Sequence, residues 1–251
     1  MEIVPGVHQI PNTRWSRVYL IEDERLTLVD AGLPWGVKKI VDYIRSIGRH
    51  EEEVDTVLMT HSHPDHSSGV PPIRKLTGAG ILAHAHDTKS DAANGVSLSY
   101  MGLFGSTSLP IPFLQRAPVK QVIEEGEVLP IQGGVRVIHT PGHTPGSVCF
   151  LLEDEGVLFS GDTIFSNGSG VSRSVPFPGY NRDDYRRSLE RLAEFEFDVL
   201  CGGHGRALSG GASDKFRDLL AARPEPPTWG DMLKSMPQRI LGGKSLSGEQ
   251  H

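Results

Sequence analysis

Four times along this 251-residue chain a short apolar run ends on a histidine or an aspartate. Val54 to Thr60 leads into His61-Ser62-His63-Pro64-Asp65-His66. Val135 to Thr140 leads through Pro141-Gly142 into His143. Gly156 to Ser160 leads into Asp162, and Asp198 to Cys201 leads into His204. Runs of this length, bounded by glycine and polar residues, read as buried strands. The fold must therefore bring several strand exits together, where loops on a rigid frame can aim short side chains at one point. The first cluster is the densest, with three of the chain's eleven histidines in six positions. Imidazole nitrogens beside a carboxylate oxygen suit zinc, and also iron or manganese. In an extended conformation, His61, His63 and Asp65 project to one side, and His66 points elsewhere, toward a second ion.

Charge and composition narrow the partners. The net charge of −6 disfavours a nucleic-acid backbone, which needs a basic surface. Hydrophobic content of 37% with 22% charged residues marks a globular chain. Two cysteines, Cys149 and Cys201, make no disulfide framework and are expected to be buried structural thiols. Met1 to Arg14 holds no apolar core of secretory length, and no segment reaches 18 apolar residues. A cytoplasmic protein without a membrane segment is the expectation.

In chain order, Val7–Ile10, Ser16–Ile21 and Arg25–Val29 read as strands, and Trp35 to Ile47 as a helix stopped by Gly48. Asp30 lies at a strand end and reads equally as a turn residue or as support for a metal ligand. Val70 to Leu76 reads as a short helix and Gly80 to His84 as a strand. His84 and His86, with no third ligand near in sequence, are expected to be a packing or surface pair. Asp87 to Ala93 is a candidate helix. Residues 98 to 114, apolar with glycine breaks, read as a cover over the cleft. Strands follow at 121–124, 127–129, 135–140, 147–152, 156–160 and 198–201, with helices at Arg182–Ala193 and Asp214–Ala222. Trp229 to Met236 is a further short helix. The coarse duplication of strands followed by helices predicts two βα layers packed face to face.

The set His61-x-His63-x-Asp65-His66, His143, Asp162 and His204, with Val29-Asp30-Ala31-Gly32 before it, resembles the metallo-β-lactamase fold superfamily over roughly residues 3 to 222. The resemblance implies an α/β fold, a four-layer αββα sandwich with a binuclear metal site at one edge. It divides the chain into that domain at 1–222 and a C-terminal extension at 223–251. It also implies that His61, His63 and His143 bind one ion and Asp65, His66 and His204 the other, with Asp162 bridging. Two divalent ions are expected, zinc first, with iron or manganese as the other metals such a set suits. Asp65 and Asp162 are the residues placed at the chemistry, Asp65 able to shuttle a proton as well as ligate.

Three neutral imidazoles leave an ion Lewis-acidic, so a bound water loses a proton near neutral pH and can attack an ester-type carbonyl. After Asp162, the stretch Thr163-Ile164-Phe165, Gly170, Arg173, Phe177-Pro178-Gly179 and Tyr185-x-x-Ser188-Leu189 resembles the glyoxalase II-like branch, the hydroxyacylglutathione hydrolases, which cleave thioesters. Dedicated members of that branch carry an extra helical domain for glutathione. Only about 30 residues follow the core here. A lactonase or other carboxylic-ester hydrolase is the alternative, although acyl-homoserine lactonases have a tyrosine where Phe165 stands. An alternative of another class is a metal-binding sensor or interaction module with weak hydrolase activity. Phe165, Arg173 and Tyr180 are candidate substrate contacts. The expected partner is a small ester, thioester or lactone, with no nucleic acid and no membrane, and a homodimer is an assembly open to the chain.

Overall fold

The computed structural model describes residues 1–91, 95–98, 117–177, 179–223, 225–226 and 228. The first half runs β1 (Glu2–Val4), β2 (Val7–Gln9), β3 (Tyr19–Glu22), β4 (Leu26–Val29), α1 (Val37–Ser46), β5 (Val54–Leu58), α2 (Pro64–Ser67), α3 (Val70–Thr77), β6 (Gly80–His84), β7 (Thr88–Asp91), β8 (Gly95–Leu98) and β9 (Gln121–Ile123). The second runs β10 (Val128–Leu129), β11 (Val135–His139), β12 (Val148–Leu152), β13 (Val157–Gly161), β14 (Ile164–Asn167), β15 (Val171–Arg173), α4 (Arg182–Leu192), β16 (Val199–Gly202), β17 (Gly205–Arg206), β18 (Leu208–Ser209) and α5 (Ala212–Ala222).

Alternation along the strands decides the layering, because successive side chains leave opposite faces of a sheet. On β12, Val148, Phe150 and Leu152 enter the core between the sheets. Their neighbours Cys149 and Leu151 instead pack with Leu189 of α4 and Phe216 of α5. Neighbouring β13 and β16 follow suit, with Val157, Phe159, Val199 and Cys201 inward and Leu158 and Leu200 outward. In the other sheet Tyr19, Ile21, Leu58 and Leu82 face the shared core. Leu20, Leu28, Val57 and Ile81 meet Ile40 and Ile44 of α1 and Ile73 of α3. Three apolar cores thus separate four layers, helix, sheet, sheet and helix, the αββα sandwich that the sequence implies.

One sheet has the order β1-β2-β3-β4-β5-β6-β9 and the other β10-β11-β12-β13-β16-β18. The strands β4, β5, β6 and β9 run parallel, as do β13 and β16. Parallel neighbours end on the same side, which collects their C-terminal loops along one rim. A small sheet, β15-β14-β17, lies in the stretch after Asp162, and this run was not foreseen as strand.

Two expectations are corrected. Thr88 to Asp91 does not begin a helix: it pairs antiparallel with Gly95 to Leu98. Thr88-Lys89-Ser90-Asp91 has no apolar side chain to form a helix stripe, and β-branched Thr88 suits a strand. The cluster at His61 is extended only as far as His63, at φ −60° and ψ 145°. Pro64, favoured at a first helical position, then starts the single turn of α2, so Asp65 and His66 project from a helix. The expected helix at 35–47 opens with a 3-10 turn at Pro34–Gly36 before α1. Cys149 and Cys201 are buried and unpaired to each other, and burial pushes the Cys149 thiol up to about 11. The proposed cover at 98–114 falls, beyond Leu98, outside the described residues, as does the helix at 229–236. No helix among the described residues is long and apolar enough to cross a membrane.

Candidate metal centre

His61 to His66 follow β5, His143 follows β11, Asp162 follows β13 and His204 follows β16. The rim formed by these strand ends brings the seven side chains together. His61, His63 and His143 each offer one nitrogen within 4.8 Å of the others. The same bound holds for His61, His66 and Asp162, and for Asp65, His66 and His204. Asp162 lies between the trios: Oδ1 is 3.2 Å from His66 Nε2, and Oδ2 is 3.2 Å from His204 Nε2 and 3.5 Å from His143 Nε2. Asp65 Oδ2 is 3.6 Å from Nε2 of both His66 and His204. His61, His63, His66, His143 and Asp162 are buried, whereas Asp65 and His204 are half-buried at the mouth.

Hydrogen bonds on the far side of each ring decide which nitrogen faces in. His66 Nδ1 donates to Asp30 Oδ2 at 2.7 Å, and His204 Nδ1 donates to the Trp15 carbonyl at 2.8 Å. The Thr60 hydroxyl gives its proton to Asp30 Oδ2, so at 3.0 Å from His61 Nδ1 it accepts. Ser174 Oγ likewise donates to the Val175 carbonyl and lies 3.0 Å from His143 Nδ1. With Nδ1 donating outward, each of these four rings turns its Nε2 toward the centre. Outer partners of this kind fix the tautomer of a ligating histidine.

Burial and the neighbouring carboxylates act differently on the individual rings. Burial holds His61 well below the ordinary imidazole range and brings His143 down to about 3. Burial also opposes charge on His66, yet the carboxylates of Asp162, Asp65 and Asp30 outweigh it and hold that group well above its usual value. Against its own burial, Asp162 is kept well below the carboxylate range by the charge on His66 and by a hydrogen bond from His204. The carboxylates thus hold positive charge beside them. His61 Nε2, His66 Nε2 and Asp162 Oδ1 are buried without an aligned hydrogen-bond partner among the described residues. Leaving a buried polar atom so costs about 1–3 kcal/mol. Convergent nitrogen and oxygen lone pairs of this kind fit a divalent ion.

Close packing leaves little slack. A Cβ on Gly203 would overlap Asp162 Oδ1 and come within 2.8 Å of His66 Cε1. The backbone of residues 30–32 holds α2 in place: Ala31 N–H donates to the His66 carbonyl at 2.9 Å, and Gly69 N–H to the Gly32 carbonyl at 2.7 Å. Asp30 therefore supports the ligand loop, one of its two expected roles.

Of the candidate substrate contacts, Phe165 presents its ring edge to His204, with centroids 5.2 Å apart. Arg173 turns away to the carbonyls of Arg223 and Glu225. Tyr180 packs on Tyr185 at 5.4 Å. Phe177 meets His63 edge-on at 4.9 Å, and Trp15 is 74% exposed beside the His204 contact. Neither was among the candidate contacts, although Phe177 lies in the stretch that resembles the glyoxalase II-like branch. Nor was Asp87, whose Oδ2 accepts the Ser62 N–H at 2.7 Å and which also bonds the Thr144 hydroxyl. Its place directly after a strand and a His-x-His pair was the available signal. Ser174 offers none, being 31 residues from the histidine it touches. A cleft of about 460 Å³ lies at the opposite ends of β4 and β5, lined by Arg25, Thr27, Asp55 and Lys120 among others, and takes no part in this centre.

Comparison with known proteins agrees with the geometry. The chain is 30% identical over 222 residues to the uncharacterized protein YobT of Bacillus subtilis, covering 80% of this chain and 88% of that one. It is 31% identical over 194 residues to a probable polyketide biosynthesis zinc-dependent hydrolase, BaeB, of Bacillus velezensis, covering 74% and 72%. An atrochrysone carboxyl ACP thioesterase of Aspergillus fumigatus is 28% identical over 213 residues, 81% of this chain, which spans 54% of that protein's length. A solved metallo-beta-lactamase family protein from Thermus thermophilus superposes with a TM-score of 0.67 at 22% identity, covering 89% of this chain and 81% of that one. The family model described as the metallo-beta-lactamase superfamily matches residues 16–204, from just before β3 to the last of the seven clustered side chains. With that match added to the four layers and the rim of donors, the chain belongs to the metallo-beta-lactamase superfamily.

Proposed function

We propose that this protein is a metal-dependent thioester hydrolase, working with two divalent ions of which zinc fits the donors best. The observation that carries the reading is the donor set: two trios of inward-facing atoms with both oxygens of Asp162 set between them. His61, His63 and His143 would hold one ion and Asp65, His66 and His204 the other, with Asp162 shared. Ions held there supply Lewis acidity and make water a stronger acid. The chain's own groups do the rest. Asp30, Thr60, Ser174 and the Trp15 carbonyl orient the rings. Asp65, half-buried at the mouth, is placed to hold a proton and return it to a leaving thiolate. Phe177 and Phe165 wall the entrance with apolar surface beside His63 and His204.

Preference for a thioester draws support from the glyoxalase II-like stretch after Asp162 and from relatives named as a thioesterase and as a polyketide zinc-dependent hydrolase. The test is turnover of matched acyl thioesters, esters and lactones by protein stripped of metal and by protein reloaded with zinc. Stripping should abolish turnover and two equivalents of zinc restore it. Thioesters should lead in kcat/KM by at least about tenfold, a difference of roughly 1.4 kcal/mol in barrier. His61→Ala should be inactive yet folded, because the ligand lies on a loop outside the cores. Turnover that survives complete metal removal would falsify the metallohydrolase reading, and lactones matching thioesters would remove the substrate class.

A further inference from the structure

Beside the centre lies a second group of histidines that sequence spacing conceals. His84 ends β6 and His86 sits on the turn after it, while His139 ends β11 in the opposite sheet. The expected pair is therefore a trio. One donor nitrogen from each lies within 4.8 Å of those of the other two. His84 and His139 are stacked, with centroids 3.9 Å apart and an angle of 17° between planes. His86 stands nearly perpendicular to His84, at 5.2 Å and 81°.

We propose that His84, His86 and His139 form a third, peripheral metal site, a three-imidazole site for a borderline divalent ion such as zinc, nickel or copper(II), sharing no ligand with the main centre.

Four features support it. First, three imidazoles without a nearby thiolate suit these ions, and not calcium or magnesium. Second, the Pro145 carbonyl accepts from His86 Nδ1 at 3.2 Å and from His139 Nε2 at 2.9 Å. Both contacts require N–H at those positions, which leaves the lone pairs on His86 Nε2 and His139 Nδ1. Third, burial disfavours positive charge on His84 and on His139. Fourth, access is graded: His84 is buried, His139 half-buried and His86 exposed, which gives an ion a fixed floor and an open side.

Ligation requires small movements. Bonds of about 2.0–2.1 Å to one ion bring imidazole nitrogens to within roughly 3.4 Å of each other, so the trio contracts by at most about 1.4 Å. The stacked rings must also tilt, since the lone pairs of parallel rings do not converge. His84 gives up its long contact from the His86 N–H, at 3.3 Å, or exchanges tautomer. Rotation about side-chain bonds supplies these changes without moving a strand.

The test counts metal in the full-length protein. After dialysis against zinc and gel filtration, the parent should retain one more equivalent than His86→Ala and His139→Ala variants. Exposed His86 makes the first variant safe for folding, which thermal unfolding verifies. Removing one of three ligands should weaken the extra site by more than the roughly 10- to 100-fold seen for outer-shell partners. A His61→Ala variant should lose ions from the main centre and keep this one. The two sites are thus scored separately: failure of the main centre to load leaves the extra equivalent countable. Equal zinc retention by the parent and both variants would overturn the proposal, and so would an extra equivalent that persists in them.

Discussion

Asp30 holds a backbone conformation that few non-glycine residues adopt, at φ 60°. Three hydrogen bonds converge on it, from the Thr60 N–H at 2.9 Å, the Thr60 hydroxyl at 2.8 Å and His66 Nδ1 at 2.7 Å. Its carboxylate thereby orients rings of both trios, His66 directly and His61 through Thr60. Asp30→Ala should cost about 1–3 kcal/mol of stability, because buried donors lose their acceptor. It should also weaken metal binding by roughly 10- to 100-fold, measured by competition with a chromogenic chelator. Unchanged affinity would show that the rings hold their aim without it. Gly203→Ala tests the same packing from the opposite side, since the added methyl overlaps Asp162 Oδ1. Lost metal retention with near-normal unfolding is expected, and full retention would mean that the loop yields. The convergence of the seven side chains was legible because each lies just beyond an apolar run. Ser174 was not, because nothing local marks a serine that meets a ring brought to it by the fold.

At the scale of elements, the strands buried on both faces were the legible ones. Gly80 to His84 was read to the residue, and β11, β12, β13 and β16 to within one or two. Each is a continuous apolar run that only a layered fold can bury. The short strands β1, β8, β14, β15, β17 and β18 were not read as strands. β7 was misread as part of a helix opening at Asp87. The actual role of Asp87 is to tie two elements, the Ser62 N–H after β5 and the Thr144 hydroxyl after β11. Burial raises its carboxyl from 3.8 to about 6. In metal-stripped protein the folded state therefore keeps this proton up to about pH 6, whereas the unfolded chain releases it near 3.8. Between those values the folded state binds more protons, so this group's contribution to stability falls as pH rises. Asp87→Asn should remove that decline, worth at most about 3 kcal/mol at 1.36 kcal/mol per pKa unit. Urea unfolding of both proteins at several pH values between 4 and 7 reads the difference, and parallel curves would show that the carboxyl titrates normally.

At the scale of the molecule, the two large sheets, each with its own helices, meet over one shared core. The first contributes His61, His63, Asp65 and His66, the second His143, Asp162 and His204. Any ion in the centre would thus clip the two halves together at the rim, far along the chain from the hairpins that connect neighbours. Because the donors converge only in the folded state, bound metal stabilises that state by mass action. At free zinc about 1,000 times the dissociation constant, one site contributes about 4 kcal/mol. A chain of this size shifts its Tm by roughly 2–4 °C per kcal/mol. Chelation should therefore lower Tm by about 10 °C or more, and zinc should restore it. Asp162→Ala, which removes the group placed between the trios, should narrow the gap between stripped and loaded protein and lower the zinc count at both positions. A protein that gives up its metal with no change in Tm would mean that the unfolded chain holds the ion as well as the folded one, so that the fold does not assemble the donors.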